Sequence, residues 1–356
     1  SMRMYNQHLI NVKRMRVSEG RNLKIGLRLD RNEKVDLWPK TFVKDVLKNK
    51  PDSFFSTYPE IFNLYKKIAK FNQVGDDQVL IHSGIDEGIK NIFHLLTKPG
   101  DTVGFLSPTY LMYEIYSKIF KVKKIKIGYD SKYKINTKQL NNFFKKKPKI
   151  LFFPNPNQPI ESSVNLNEMN ELAKKCKSKG CILVFDEAYY LLGSQTGIKL
   201  LKKFNNIVVL RTFSKAFGLP SIRAGYTISN KNLMKILSKA RIAHELSSFS
   251  IAAAEYLLDN YRIVKKYLNE IIISRKYVLN KLKNLGGDID VRAKHGNYIL
   301  INLKTNKKAK EVVSKLRKKF IYVKGPYKKP WDNCICITVG PKKLMEKFLI
   351  NFKKLV

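Results

Sequence analysis

At 356 residues and 44% hydrophobic, the chain can bury a large core, and no stretch is low-complexity enough to read as disordered. Its net charge is +41, from 69 Lys and Arg against 28 Asp and Glu, yet the basic residues are spread along the chain rather than gathered in a tail or stripe; this favours a solvated basic surface that draws anionic small molecules over a nucleic-acid-binding face. Four cysteines (Cys176, Cys181, Cys334 and Cys336) make no disulfide framework, Cys334-Ile335-Cys336 lacks zinc-site spacing and a nearby histidine, and no apolar run approaches the ~20 residues of a membrane span. No signal-peptide core opens the sequence, so the cytoplasm is the expected compartment, and Ser1 ahead of Met2 reads as a cloning remnant.

The first ~45 residues show little periodicity and read as an arm that packs elsewhere. From residue 78, short apolar runs alternate with amphipathic stretches. Strands are expected at 78–82, 102–107, 123–127, 150–153, 181–185, 206–210 and 224–229, with helices between most of them, as at 85–97 and 166–179. This alternation predicts an α/β fold with a mostly parallel seven-stranded sheet covered by helices on both faces. The unbroken apolar run Cys181-Ile182-Leu183-Val184-Phe185 fits a strand buried on both sides. Beyond Asn230 long helical segments run to about Leu285. Strands near 289–292, 298–303 and 334–339 then alternate with helices near 307–319 and 342–352, which reads as a smaller α+β domain. The expected division is an arm contributing to the small domain (1–45), a large domain (46–240), connecting helices (241–285) and a small C-terminal domain (286–356).

Open α/β sheets bind ligands beyond the carboxyl ends of their strands. After the strand at 181–185 stands Asp186-Glu187-Ala188-Tyr189, whose acid alone reads more often as a metal ligand or helix cap. After the strand at 206–210 comes Arg211-Thr212-Phe213-Ser214-Lys215-Ala216-Phe217-Gly218, with Arg223 eight residues past the lysine. Two hydroxyls, a lysine and that arginine can converge on one phosphate and one aldehyde. After the strand at 78–82, Ser83-Gly84-Ile85-Asp86-Glu87 opens a helix whose free N–H groups can hold an anion, although alone it is an ordinary strand–helix junction.

Taken together, in this order and spacing, these segments resemble the fold-type I pyridoxal-phosphate (PLP) aminotransferases, most closely the histidinol-phosphate aminotransferase branch. The resemblance runs from Leu29-Asp30-Arg31-Asn32-Glu33 to Ile337-Thr338-Val339-Gly340. It implies that Lys215 carries PLP as a Schiff base and shuttles the proton. Asp186 would pair with the pyridine nitrogen, Tyr189 would bond the 3-oxygen, and Tyr110 would stack on the ring. Gly84, Ile85, Asp86, Thr212, Ser214 and Arg223 would hold the phosphate. Tyr58, in Tyr58-Pro59, would reach the cofactor of a second subunit, which implies a homodimer with composite active sites.

Three positions depart from the family pattern. Gln158 replaces the asparagine that bonds the 3-oxygen, Cys336 the arginine that clamps the substrate carboxylate, and Lys324 another anion-binding arginine. Neither cysteine nor lysine supplies the guanidinium fork. Arg28, Arg31 or Arg241 are alternative grips, and Arg31, Lys324 and Asn157 are the candidate substrate contacts. The expected activity is transamination of a small phosphorylated or phosphonylated amine or carbonyl compound. The alternative is decarboxylation of a phosphorylated amino acid, as in enzymes resembling threonine-phosphate decarboxylase. A binding protein using the enzyme fold is a third reading, one that requires a concentrated basic patch.

Overall fold

The computed structural model describes residues 4–356, so Ser1, Met2 and Arg3 lie outside the described residues. Its strands run in chain order β1 (Leu27–Leu29), β2 (Val79–His82), β3 (Thr102–Leu106), β4 (Lys123–Ile127), β5 (Ile150–Pro154), β6 (Ile182–Asp186), β7 (Ile207–Thr212), β8 (Gly225–Ser229), β9 (Asp290–Arg292), β10 (Tyr298–Asn302), β11 (Ile321–Val323) and β12 (Cys334–Thr338).

The seven strands expected between residues 78 and 229 form one sheet, in the order β2-β8-β7-β6-β5-β3-β4. All neighbours are parallel except β8, which runs antiparallel to both β7 and β2. Both faces are apolar. Leu151, Phe153, Leu183, Phe185, Ile207 and Val209 join the core on one side, and Ile150, Phe152, Val184, Val208 and Leu210 the core on the other. Successive side chains in a strand point to opposite faces, so an unbroken apolar run fills both layers. The helix Gly84–Leu96 covers one face with Ile85, Ile89, Ile92 and Phe93, the 3.6-residue repeat of a single buried stripe. The helix Leu166–Ser178 starts at a capping box in which Asn165 and Glu168 exchange side-chain to backbone hydrogen bonds.

The C-terminal strands make an antiparallel sheet in the order β12-β10-β9. The helices Tyr261–Lys283, Asn306–Lys318 and Lys342–Lys353 pack beside it. Two short strands escape the sequence pattern. β1 and β11 pair in parallel, Leu27 with Ile321 and Leu29 with Val323. The segment read as an unpatterned arm therefore contains a strand, and three residues are too few to show a period of two.

In this sheet β2, β3, β5, β6 and β7 all point the same way. Their carboxyl ends therefore deliver His82, Leu106, Pro154, Asp186 and Thr212 to one edge, followed at once by the loops that carry the candidate residues. Among the described residues no helix is long and apolar enough to cross a membrane.

Candidate active site

A cavity of about 360 Å³ opens at that edge, with Ile85, Asp86, Tyr110, Gln158, Asp186, Tyr189, Thr212, Ser214, Lys215 and Arg223 on its wall. Segments separated by more than a hundred residues thus converge.

One end of the cavity is built for an anion. The first turn of the helix Gly84–Leu96 faces it with unpaired backbone N–H groups, and Gly84 takes φ +77. A Cβ on Gly84 would come within 2.7 Å of the Arg223 guanidinium, and one on Gly225 within 3.2 Å of the Ile85 nitrogen, so glycine is what lets the arginine and the helix start approach. Arg223 is itself left-handed (φ 48) and donates to Pro220 O at 2.9 Å and Ser214 Oγ at 3.3 Å. Among the described residues no carboxylate lies within ion-pair distance of it, which leaves its charge available. Thr212 Oγ1 accepts from the Ser214 N–H at 3.0 Å and so sets the loop in register. Beneath the turn, buried His82 bonds Gly84 O at 2.7 Å and Thr227 Oγ1 at 2.8 Å. Burial lowers the imidazole pKa to about 4, so it serves as a neutral strut.

The middle of the cavity carries a lysine and a carboxylate with shifted titrations. Burial lowers the Lys215 ammonium to about 8, with Glu33 opposing the shift and Arg223 adding to it. Its Nζ donates to Arg31 O at 2.7 Å. Asp186, at the end of β6, is 4% exposed. Burial pushes its carboxyl up to about 6, against a hydrogen bond from Tyr113 Oη and another from the Ala188 N–H at 3.1 Å. Tyr113 was not among the residues singled out from the sequence. It stands inside the helix Met112–Ile119 among other aromatics, with no motif spacing to mark it.

Tyr189 Oη accepts from Asn32 Nδ2 at 2.9 Å, and its ring lies 5.7 Å from Lys215 Nζ. Asn32 is locked in turn through its own backbone and side chain: its N–H donates to Thr338 Oγ1, its Oδ1 accepts from that hydroxyl, and its carbonyl accepts from Asn297 Nδ2. Tyr110 is 46% exposed on the wall and meets Tyr113 edge-on. Gln158 reaches the wall and donates towards Tyr327 Oη (3.4 Å) and Cys336 Sγ (3.6 Å), so a neutral cluster stands where the family pattern has a guanidinium.

The other expected residues fare differently. Asn157 borders the cavity, but its amide is committed to Pro108 O, Tyr129 Oη, Ile160 O and Thr109 Oγ1. It fastens two loops together rather than offering a free donor. Lys324 is exposed and off the cavity wall, joined to Cys336 by backbone hydrogen bonds. Tyr58 is also off this wall, 80% exposed and stacked on His244 at 4.3 Å. Arg28 is committed to Glu33 at 2.6 Å, and Arg241 packs against Tyr65 and Glu245 away from the cavity. Of the arginines considered as substitute grips, Arg31 alone lines the cavity.

Glu187 has a structural role. It is buried against Arg211 (2.8 Å), Thr196 Oγ1 (2.8 Å) and the Gly197 N–H (2.7 Å), while Arg211 also bonds Asn72 and lies over Tyr190.

A lysine of lowered pKa, a buried carboxylate and an arginine beside a helix start meet at the carboxyl edge of a mostly parallel sheet, an arrangement that suits an α/β enzyme with an anionic ligand. Residues 24–351 match the model of the family "Aminotransferase class I and II", and the chain belongs to that family. Among curated relatives it is 30% identical over 317 residues to histidinol-phosphate aminotransferase of Caldanaerobacter subterraneus, covering 86% of this chain and 88% of the relative. It is 27% identical to the enzyme of the same name from Clostridium novyi, over 94% of this chain and 92% of the relative. The fold matches that of histidinol-phosphate aminotransferase from Sinorhizobium meliloti in complex with pyridoxal-5'-phosphate, at TM-score 0.84 and 21% identity, over 93% and 90% of the two chains. It also matches a PLP-bound C-S lyase from Staphylococcus hominis, at TM-score 0.82 and 15% identity, over 95% and 94%.

Proposed function

We propose that this aminotransferase is PLP-dependent and moves an amino group between a small phosphorylated (or phosphonylated) amine and a carbonyl compound, with Lys215 as the residue that binds the cofactor. The supporting observation is that Lys215, Asp186 and the Gly84–Arg223 cradle open into one cavity. The names of the curated relatives favour a phosphorylated amine of the histidinol-phosphate kind.

The residues fit the cofactor. The helix start, Ser214 and Arg223 would bind its phosphate, and the guanidinium fork suits that group. When bound, PLP supplies an electron sink for the substrate carbon attached to nitrogen. Asp186 would keep the ring nitrogen protonated. Tyr113 and Ala188 orient that carboxylate and favour its charged form, and a cationic ring beside it favours ionisation further. Lys215, lowered to about 8, is neutral often enough near physiological pH to take up and return a proton. Tyr189 and Gln158 would meet the cofactor's 3-oxygen, and Tyr110 would cover the ring. Tyr58, Phe55 and Phe62 present aromatic surface near one another in sequence, which supports a homodimer in which Tyr58 completes the neighbouring site.

The decarboxylase reading rests on one observation: Cys336, with no guanidinium, faces Gln158. One experiment separates the two. The purified protein is loaded with PLP and mixed in turn with histidinol phosphate and with a phosphorylated amino acid that keeps its carboxylate, such as phosphothreonine, while cofactor absorbance and carbon dioxide are followed. Transamination shifts the absorbance without gas release. Release of carbon dioxide from a phosphorylated amino acid supports the alternative. Lys215→Ala is expected to abolish the covalent cofactor absorbance, and its persistence in that variant would overturn the assignment.

A further inference from the structure

The neutral wall at Gln158, Tyr327 and Cys336 leaves open what would hold an anionic group on the substrate itself. Three cationic side chains line the cavity: Lys215, Arg223 and Arg31. On the reading above, the first two serve the cofactor. Glu33, which also lines the cavity, is already neutralised by Arg21 (3.1 Å) and Arg28 (2.6 Å). Arg31 remains. Its carbonyl accepts from Lys215 Nζ, so its backbone abuts the reacting end of the cavity.

The Arg31 side chain is 40% exposed and paired with a single carboxylate, that of Glu19, which is 58% exposed. Glu19 belongs to a strap tied down at two ends. At one end His8 bonds Ile119 O at 2.9 Å. At the other, Arg21 binds Asp30 and Glu33, and the Asn22 N–H donates to Tyr322 Oη at 2.7 Å. Between these anchors residues 13–20 are exposed throughout, and Glu19 holds on through Arg31 and through its own carbonyl, which accepts from Arg317. An exposed ion pair is weak and easily exchanged. A carboxylate at the cavity mouth therefore rests on Arg31, which has no other acidic partner among the described residues.

We propose that Arg31 grips the substrate's anionic group distal to the Gly84–Arg223 cradle, and that Glu19 is the carboxylate it exchanges when substrate binds. The proposal rests on the aminotransferase reading of the cavity and adds to it the residue that takes over from the missing arginine at position 336. The ligand chemistry is an oxyanion, carboxylate or phosphate, that presents two oxygens to one guanidinium.

Two measurements on the PLP-loaded protein test it. In the first, the concentration dependence of the absorbance change with histidinol phosphate is compared across variants. Arg31→Gln is expected to raise KM roughly ten- to a hundredfold, the loss of a charge-assisted bond, with a smaller effect on kcat. Arg31→Lys restores part of it. Glu19→Gln lowers KM about two- to fivefold, and does so only when Arg31 is present. A KM for Arg31→Gln within about twofold of the parent (the arithmetic noise of such a fit, under 0.5 kcal/mol), or an equal Glu19→Gln effect in both backgrounds, overturns the proposal.

The second measurement needs no turnover. Trypsin cleavage at Arg14 and Arg16 is timed with inorganic phosphate, with glutarate, and without either. Release of Glu19 is expected to speed cleavage in the parent and not in Arg31→Gln. Acceleration by glutarate alone identifies a carboxylate grip, and by phosphate alone a phosphate grip. No acceleration by either overturns the exchange. A protein that binds PLP, shows no reaction with histidinol phosphate and still releases the strap contradicts the substrate reading while leaving Arg31 as the anion grip.

Discussion

Burial works on Lys215 and Asp186 in opposite directions, lowering the ammonium to about 8 and raising the carboxyl to about 6. In the cofactor-free protein each shift is a cost of folding with its own pH window. For Lys215 the penalty is complete below pH 8. It fades as pH rises towards 10.5, because there the unfolded chain still binds the proton that the folded chain has lost. Lys215→Met is therefore expected to stabilise the cofactor-free protein at pH 7, an advantage that shrinks between pH 8 and 10.5 in urea titrations. For Asp186 the sign is reversed, and stability falls as pH rises from about 4 to 6. Glu187, its neighbour in sequence, gives the opposite result on substitution. Glu187→Gln leaves the Arg211 guanidinium buried without its counter-charge and is expected to cost about 3–5 kcal/mol, read as a lower urea midpoint. Both acids were legible from Asp186-Glu187-Ala188-Tyr189, but their division of labour was not. Adjacent residues at a strand end point to opposite sides, and only the packing shows which side is the cavity. Tyr113 and Asn32 were missed for a related reason. Each acts on a motif residue from a distant segment, and a single sequence carries no spacing between them.

Elements were easiest to read where a signal repeats. The seven buried strands are apolar on both faces, so each appears as an unbroken run, and their boundaries fall within one or two residues of those expected. β1 and β11, with three residues each, offer no repeat. The helix Gly84–Leu96 was legible both from its buried stripe and from the glycine at its start. That glycine supports a prediction at this scale. Gly84→Ala forces a side chain into the left-handed region and to within 2.7 Å of the Arg223 guanidinium. The helix should survive, at a cost of about 1 kcal/mol, whereas PLP affinity measured by fluorescence titration should fall by more than tenfold as the cradle widens. Asn165→Ala provides a control at a helix start that is not part of the cavity wall. It removes a capping box and is expected to cost about 1 kcal/mol in urea while leaving PLP affinity unchanged.

At the scale of the whole molecule the excess of cations dominates. With 69 basic and 28 acidic side chains, most lysines have no acid available, and self-repulsion opposes the compact state. Added salt shortens the Debye length from roughly 14 Å at 0.05 M to about 4 Å at 0.5 M. The urea midpoint at pH 7 is therefore expected to rise over that range with sodium chloride, and a midpoint that falls would indicate that paired surface charges outweigh the repulsion. The overall charge could be read from composition, but the closing of the molecule on itself could not. β1 lies beside β11, so residue 27 finds its partner at residue 321. On the ribosome, that partner is made almost three hundred residues later. Throughout most of synthesis the leading segment has no edge to join, and Leu27 and Leu29 stay open to solvent or to a chaperone. The last strands of the chain then seat its beginning, and with it Arg31 and Asn32, so a truncated or stalled product retains the Lys215 loop but lacks the finished wall beside it.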